Sequence, residues 1–292
     1  MSSTVIFATL LTLYLCGSPG AVGQVPSPLT RVDQEVEGVA DSGTYLLYLY
    51  RITNARESKG AAADFSMDVS APRGTGFPTL PATGRFMHGA GFRGVDLARF
   101  RDHVPVGPIS PTNWESALTK EARLDWYGGS GGALGEYQNI APGDSLGGFG
   151  LRSPYLPGIR QSWAQPTFLS CCATARPATA TSDAEYPDPS EFEISGWTVG
   201  PAYSPDRMSI ELLRRLFDRA CGDLAWIGPK NTCEALRATL GPRERGEAAA
   251  GREQLRAFLQ ELDAQHNRPE GHVSDNAYWL LKVNGEYLLA HL

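Results

Sequence analysis

A serine hydroxyl becomes an acyl-transfer nucleophile when a histidine takes its proton and a carboxylate orients that histidine. This chain carries residues of those types in two places. Gly143, Asp144, Ser145 and Leu146 stand inside the run from Ile140 to Pro154, and Asp263-Ala-Gln-His266 follows in the C-terminal third. The surroundings of Ser145 argue against activation. A nucleophile needs a buried strand before it and a helix after it, so that a sharp turn exposes the hydroxyl. Here Ala141-Pro142-Gly143 precedes the serine, and Gly147-Gly148-Phe149 follows it, which is poor helix material. The run reads instead as a tight turn that delivers Leu146, Phe149 and Leu151 into a sheet.

The two motifs together resemble the GDSL-type hydrolases of the SGNH class, with Ser145 as nucleophile and Asp263 and His266 as the Asp-x-x-His pair. That resemblance implies a secreted hydrolase. The class, however, sets its nucleophile after the first buried parallel strand and uses an Asn-Asp element in its oxyanion hole. No Asn-Asp dipeptide occurs anywhere in this chain. Oxyanion donors matter by orders of magnitude in rate, so the departure is a serious one. Asp263 and His266 also fit the polar end of a helix at positions i and i+3. The expectation is a non-enzymatic protein with no catalytic residue, and a hydrolase using Ser145 and His266 is the alternative.

Other chemistry is sparse. Asp183, Glu185, Asp188, Glu191 and Glu193 gather acid around Pro187 and Pro189, within 183–193, but without the regular spacing and central glycine of a calcium loop. His88, His103, His272 and His291 lack zinc-ligand spacing. No metal and no cofactor is expected. Trp114, Trp126 and Trp163 would make a carbohydrate-binding module if they stood exposed together on one sheet face, and core residues otherwise.

Charge and cysteine usage bound the setting. The 32 acidic residues outnumber 26 basic ones for a net charge of -6, with no long basic run, which excludes a nucleic-acid binder. The first 23 residues carry no charge, and Val5 to Leu15 form an apolar stretch of signal-peptide length, too short to span a bilayer. Ala21-Val22-Gly23 offers a cleavage site, so residues 1–23 read as a signal peptide and the mature chain as secreted, extracellular or periplasmic. Cys16 stands where a lipid anchor would require a small residue before it, and Leu15 is not one. Four cysteines remain in an oxidising compartment. Cys221 and Cys233 flank a short interhelical segment and are the favoured disulfide, while adjacent Cys171 and Cys172 stay open. An extracellular protein or a glycan is the expected partner, and no transmembrane segment is expected in the mature chain.

The elements that would position these residues fall into two parts. Thr44 to Ile52 is apolar on both faces and predicts a central strand, and Phe65, Met67 and Val69 alternate with polar residues as in a half-buried strand. Asn54 to Gly60 would close the two into a hairpin. Further strands are expected around Ala122 to Tyr127, Leu146 to Leu151 and Glu191 to Ser195, with irregular Gly/Pro-rich connections, notably 71–120. From residue 204 the period becomes helical. Ser204-Pro205 would open one helix and Asn231, with Glu234, a second. Leu255, Phe258, Leu259 and Leu262 mark a third, and Ser274 caps a fourth that carries Ala277, Leu280, Leu281, Asn284 and Leu288.

The fold class is therefore α+β and multidomain: an antiparallel β-sandwich over 24–200, joined through Gly196 to Pro201 to a small four-helix bundle over 204–292. The helical part resembles the FIMAH-type domain of bacterial secreted proteins. The residues that carry the resemblance are Asn231 to Leu236, Gln254 to Leu259, Asp263 to His266 and Ala277 to Leu281. The sheet part, with its Tyr-rich strand and its Pro-Gly-x-Ser-Leu-x-Gly-Phe segment, resembles the immunoglobulin-like modules of bacterial exported proteins. Neither family brings catalytic residues with it.

Overall fold

The structure is a computed structural model that describes residues 27–43, 45–70, 107–118, 123–128, 138–167, 189–241 and 248–292. The expected signal segment, Cys16, Cys171, Cys172, His88, His103, Asp183, Glu185 and Asp188 lie outside the described residues. Strands β1 (Val32–Asp41), β2 (Leu46–Asn54), β3 (Ala62–Asp68), β4 (Gly107–Ile109), β5 (Trp114–Leu118), β6 (Arg123–Gly128), β7 (Ser145–Ser153), β8 (Leu156–Pro166) and β9 (Ile194–Tyr203) form two antiparallel sheets. One has the order β1-β2-β7-β4, and the other β5-β6-β3-β8-β9.

The inward positions hold the large side chains. Tyr48, Tyr50 and Ile52 of β2 and Phe149 and Leu151 of β7 come from the first sheet; Phe65 and Met67 of β3 and Leu124 and Trp126 of β6 come from the second. The two sheets meet through rings. Phe149 sets its edge against Phe65 at 4.6 Å and against Trp114 at 5.0 Å, and Phe65 stacks on Trp126 at 5.0 Å between ring centres. The arrangement is sandwich-like, with an aromatic interior.

Four helices follow among the described residues: α1 (Ile210–Cys221), α2 (Lys230–Thr239), α3 (Ala248–His266) and α4 (Asp275–His291). The sequence period names their buried stripes. Leu212, Leu213, Leu216, Phe217 and Ala220 are buried on α1, and Leu255, Phe258, Leu259 and Leu262 on α3. Helix α4 runs through the middle, packed on α1 and α3 and against β1, β8 and β9. Its Gly285 is a site of close approach, where a Cβ would come within 2.8 Å of Leu259 on α3.

Two buried asparagines join α4 to the sheets. The Asn276 carboxamide accepts from the Val36 N–H at 3.0 Å and donates to the Gln34 carbonyl at 3.1 Å, both on edge strand β1. Asn284 donates to the Pro157 carbonyl on β8 at 2.9 Å. Apolar contacts continue from the sheets into the helices, so one core runs through both.

Several expectations change. β2 and β3 do not form a hairpin: β2 pairs with β1 and β7, β3 with β6 and β8, and Asn54 to Gly60 crosses between the sheets. Buried Asn54 holds that crossing by donating to the carbonyls of Gly60 and Ile140. Strands β1 and β8 were not predicted, and the connection 71–120 contains β4 and β5. Gly196 to Pro201 is no linker, because it lies inside β9. Ser204-Pro205 opens only a short 3-10 turn; α1 starts one turn later, where the Ser209 hydroxyl accepts from the Leu212 N–H. Asn231 lies within α2, which begins directly after Pro229. The Ser274 cap is as expected, accepting from the Ala277 N–H.

Candidate functional site

Ser145 sits at the first position of β7, just after a turn. Gly143 adopts a φ of 86°, which its lack of a side chain permits, and its N–H bonds to the Asn54 carbonyl at 2.9 Å. The turn feeds Phe149 and Leu151 into the core, as the sequence predicts. The Ser145 hydroxyl is 2.8 Å from that of Thr53 on the neighbouring strand.

His266 is engaged elsewhere. Its Nε2 lies 2.8 Å from Asp275 Oδ1, and its ring stacks on Tyr278 at 3.8 Å. Asp263, the other half of the motif, accepts from the Tyr278 hydroxyl at 2.8 Å and the Lys282 ammonium at 2.7 Å. Burial alone would raise the Asp263 pKa, but the hydrogen bonds from Lys282 and Tyr278 outweigh it and hold the carboxyl below its ordinary value. Asp263 thus ties α3 to α4. Among the described residues no hydrogen bond joins Ser145 to His266.

The remaining candidates divide. Trp114 and Trp126 are buried in the core, and the Trp126 indole donates to the Ile109 carbonyl. Trp163 faces outward beneath the Arg123 guanidinium, 3.6 Å from its ring centre. Arg123 also clasps Glu193 with two hydrogen bonds, so the last carboxylate of the acidic run is ion-paired. His291 stacks on Tyr287, and the His272 ring lies 3.5 Å from the Thr232 hydroxyl. Among the described residues no group of three or more His, Cys, Asp or Glu is placed to hold a metal ion. Cys221 and Cys233 meet with their sulfurs 2.11 Å apart and their Cα atoms 6.0 Å apart, a disulfide-compatible pair.

The structure brings together a different set of side chains. A groove of about 390 Å³ runs between β1 and β9 and is closed by the α1–α2 connection and the start of α4. Trp197 of β9 lines it and is 45% exposed, the one large apolar side chain standing in solvent among the described residues. The Arg219 guanidinium lies 5.3 Å from the centre of its ring. Trp226, Asp33, Glu35, Asp223 and Asn276 line the same groove. Sequence reasoning missed Trp197 by assigning its segment to a linker. Its parity is equivocal: Trp197 alternates with exposed Ser195 on one side and with fully buried Val199 on the other.

Two features of the groove are costly for folding. Asp33 pairs with Arg31 at 3.0 Å, whereas Glu35 makes none of the described hydrogen bonds or ion pairs. Burial raises the Glu35 pKa, and the charges of Asp275 and Asp33 raise it further against the opposing pull of Arg51 and Arg31. A carboxyl with a raised folded-state pKa adds stability below its unfolded value, and that stability is lost as pH rises through the folded one. Glu35→Gln is therefore expected to be more stable than the parent at neutral pH, with the difference vanishing below about pH 4. Urea denaturation across that range checks it.

The second costly feature is Gln34. The residue is 5% exposed, and among the described residues neither Nε2 nor Oε1 has a hydrogen-bond partner. An unmet buried polar group costs about 1–3 kcal/mol. Gln34 lines the groove and also a void of about 10 Å³ directly behind it; Val32, Ile194, Ser195 and Gly196 are shared by both walls.

Comparison with protein-family models, with curated proteins and with solved structures finds no match in any of the three.

Proposed function

We propose that this chain is an exported, non-enzymatic binding protein: an immunoglobulin-like sandwich over 24–200 with a C-terminal helical bundle over 204–292, and recognition in the groove where they meet. The carrying observation is Trp197, 45% exposed in a groove of about 390 Å³ that is also lined by Glu35, whose carboxylate makes no hydrogen bond or ion pair among the described residues. An exposed aromatic next to partnerless polar groups suits a ligand better than it suits folding. The charge-free 1–23 segment and the disulfide-compatible Cys221 and Cys233 support export.

The hydrolase alternative needs the Ser145 hydroxyl to be activated, and its partner is the Thr53 hydroxyl rather than a base. The reading is tested by producing the full chain with its own N-terminus in a bacterial host. The mature protein is expected outside the cytoplasm, starting at Gln24. A fluorophosphonate probe is expected to label it no more than it labels Ser145→Ala. Labelling that disappears in Ser145→Ala would establish an enzyme and overturn the proposal.

A further inference from the structure

We infer that the groove between β1 and β9 takes an extended, basic peptide segment of another protein, added as a strand along the open edge of β1; this rests on the binding reading above and names its partner class. Strand β1 ends one sheet and β9 ends the other, and the groove runs between these two edges. In an antiparallel pair the backbone groups point alternately toward the partner strand and away from it. On β1 the even positions point away from β2. Asn54, across from Val32, gives its N–H to the Asp144 carbonyl and its C=O to the Gly143 N–H, both just before β7, while the Val36 N–H and the Gln34 C=O bond to Asn276. The Val32 N–H, the Val32 C=O and the Gln34 N–H therefore face the groove, without a hydrogen-bond partner among the described residues. Strand β9 presents a similar lip. The Thr167 N–H turns to Ala61 on the β3 side, so odd positions of β8 face β3 and even ones face β9; across from these, the backbone of Ser195 and Trp197 is turned outward.

Asn276 already treats this edge as a strand would. Its carboxamide gives β1 one acceptor and one donor, the two bonds that an added strand makes through its backbone. A peptide repeats those groups along its length and continues the pairing over Val32 and Gln34, as in strand addition to a sheet edge. The β9 lip and the α1–α2 connection flank that stretch, so it suits a single extended segment rather than the edge of a second folded sheet. Charge selects the segment. Asp33 and Glu35 stand on the outer face of β1, alternating with inward Gln34 and Val36, and Asp223 lines the groove from the α1–α2 connection. Arg31 is bonded to Asp33, Arg51 to Glu37, and Arg219 stands over the Trp197 ring, which leaves Glu35 without an ion pair among the described residues. A lysine or arginine directly across from Asp33 on an added strand shares that face and reaches Glu35 diagonally. An acidic segment would meet like charge there.

The experiment titrates the purified mature chain by calorimetry with a capped, strand-length peptide of alternating lysine and threonine. The comparators are the same peptide with glutamate for lysine, and the lysine peptide with every backbone nitrogen methylated. The lysine peptide is expected to bind, and each comparator at least about tenfold more weakly. On binding, the amide hydrogens of Val32 and Gln34 are expected to exchange with solvent more slowly. Val32→Pro removes an edge N–H at the first position of a strand, where proline is tolerated. It is expected to weaken binding by about tenfold and to lower the urea midpoint less than Asp33→Pro, whose N–H points to β2. Glu35→Gln is expected to weaken the lysine peptide by about threefold without loss of fold. Equal binding of either comparator, unchanged exchange at Val32 and Gln34, or a Val32→Pro midpoint as low as that of Asp33→Pro overturns the inference. No binding of the lysine peptide by a chain that is exported and unlabelled by the fluorophosphonate probe also overturns it and leaves the binding reading standing; Ser145-dependent labelling overturns both.

Discussion

Phe149→Ala is expected to lower the unfolding free energy by about 3–5 kcal/mol, the range for deleting a fully buried aromatic ring. Phe149 is 0% exposed on β7, and its ring meets Phe65, Trp114 and Trp126 of the opposite sheet. Three of its neighbours are themselves large and rigid, so they cannot collapse into the space left behind. The loss therefore combines the transfer term with most of the cavity term. Urea denaturation checks it as a fall in midpoint at constant slope. A loss below about 1 kcal/mol would show that the sheets do not share this ring cluster.

The double variant Cys221→Ser with Cys233→Ser is expected to cost about 3 kcal/mol through the larger conformational freedom of the unfolded chain. The two residues are 12 positions apart, joining the end of α1 to the first turn of α2. Between them the chain makes a tight path, with Ala225 at a φ of 49° and the Trp226 and Ile227 N–H groups both directed to the Ala220 carbonyl. Trp226 also lines the groove, so the same variant tests whether that wall stays in place. The measurement is the urea midpoint of the oxidised chain, of the reduced chain and of the variant. Oxidised and reduced chains with equal midpoints would show that the pair does not constrain the fold.

The periodic parts of the fold were legible because burial writes itself into spacing. The stripes of α1, α3 and α4 and the Phe65/Met67 alternation in β3 emerge from the sequence, as does the Pro142-Gly143 turn into β7. Strands escaped where the inward side chains are small or polar. β8 turns Gly158, Arg160, Ser162 and Ala164 inward, so its period-2 pattern is chemically masked; Arg160 is buried because it donates to the carbonyls of Pro201 and Ser70. β1 puts Gln34 and Val36 inward with charges between them, and its bulge after Val36 breaks the count. The hairpin expectation failed because adjacency in sequence does not say which sheet the next strand joins. The groove was illegible for a related reason. Its residues come from β1, β9, the α1–α2 connection and α4, and only the pairing of distant elements brings them together.

The grip of Asn276 on β1 bears on how the molecule behaves in company. A sheet edge with open N–H and C=O groups is a template on which another chain can add a strand, and folded proteins block such edges. On β1 the Val36 N–H and the Gln34 carbonyl are occupied by a side-chain amide. That amide completes the pairing but has no backbone of its own to continue it. The four-stranded sheet is closed to intermolecular growth at this point, which protects a protein crowded among its own copies from joining them edge to edge.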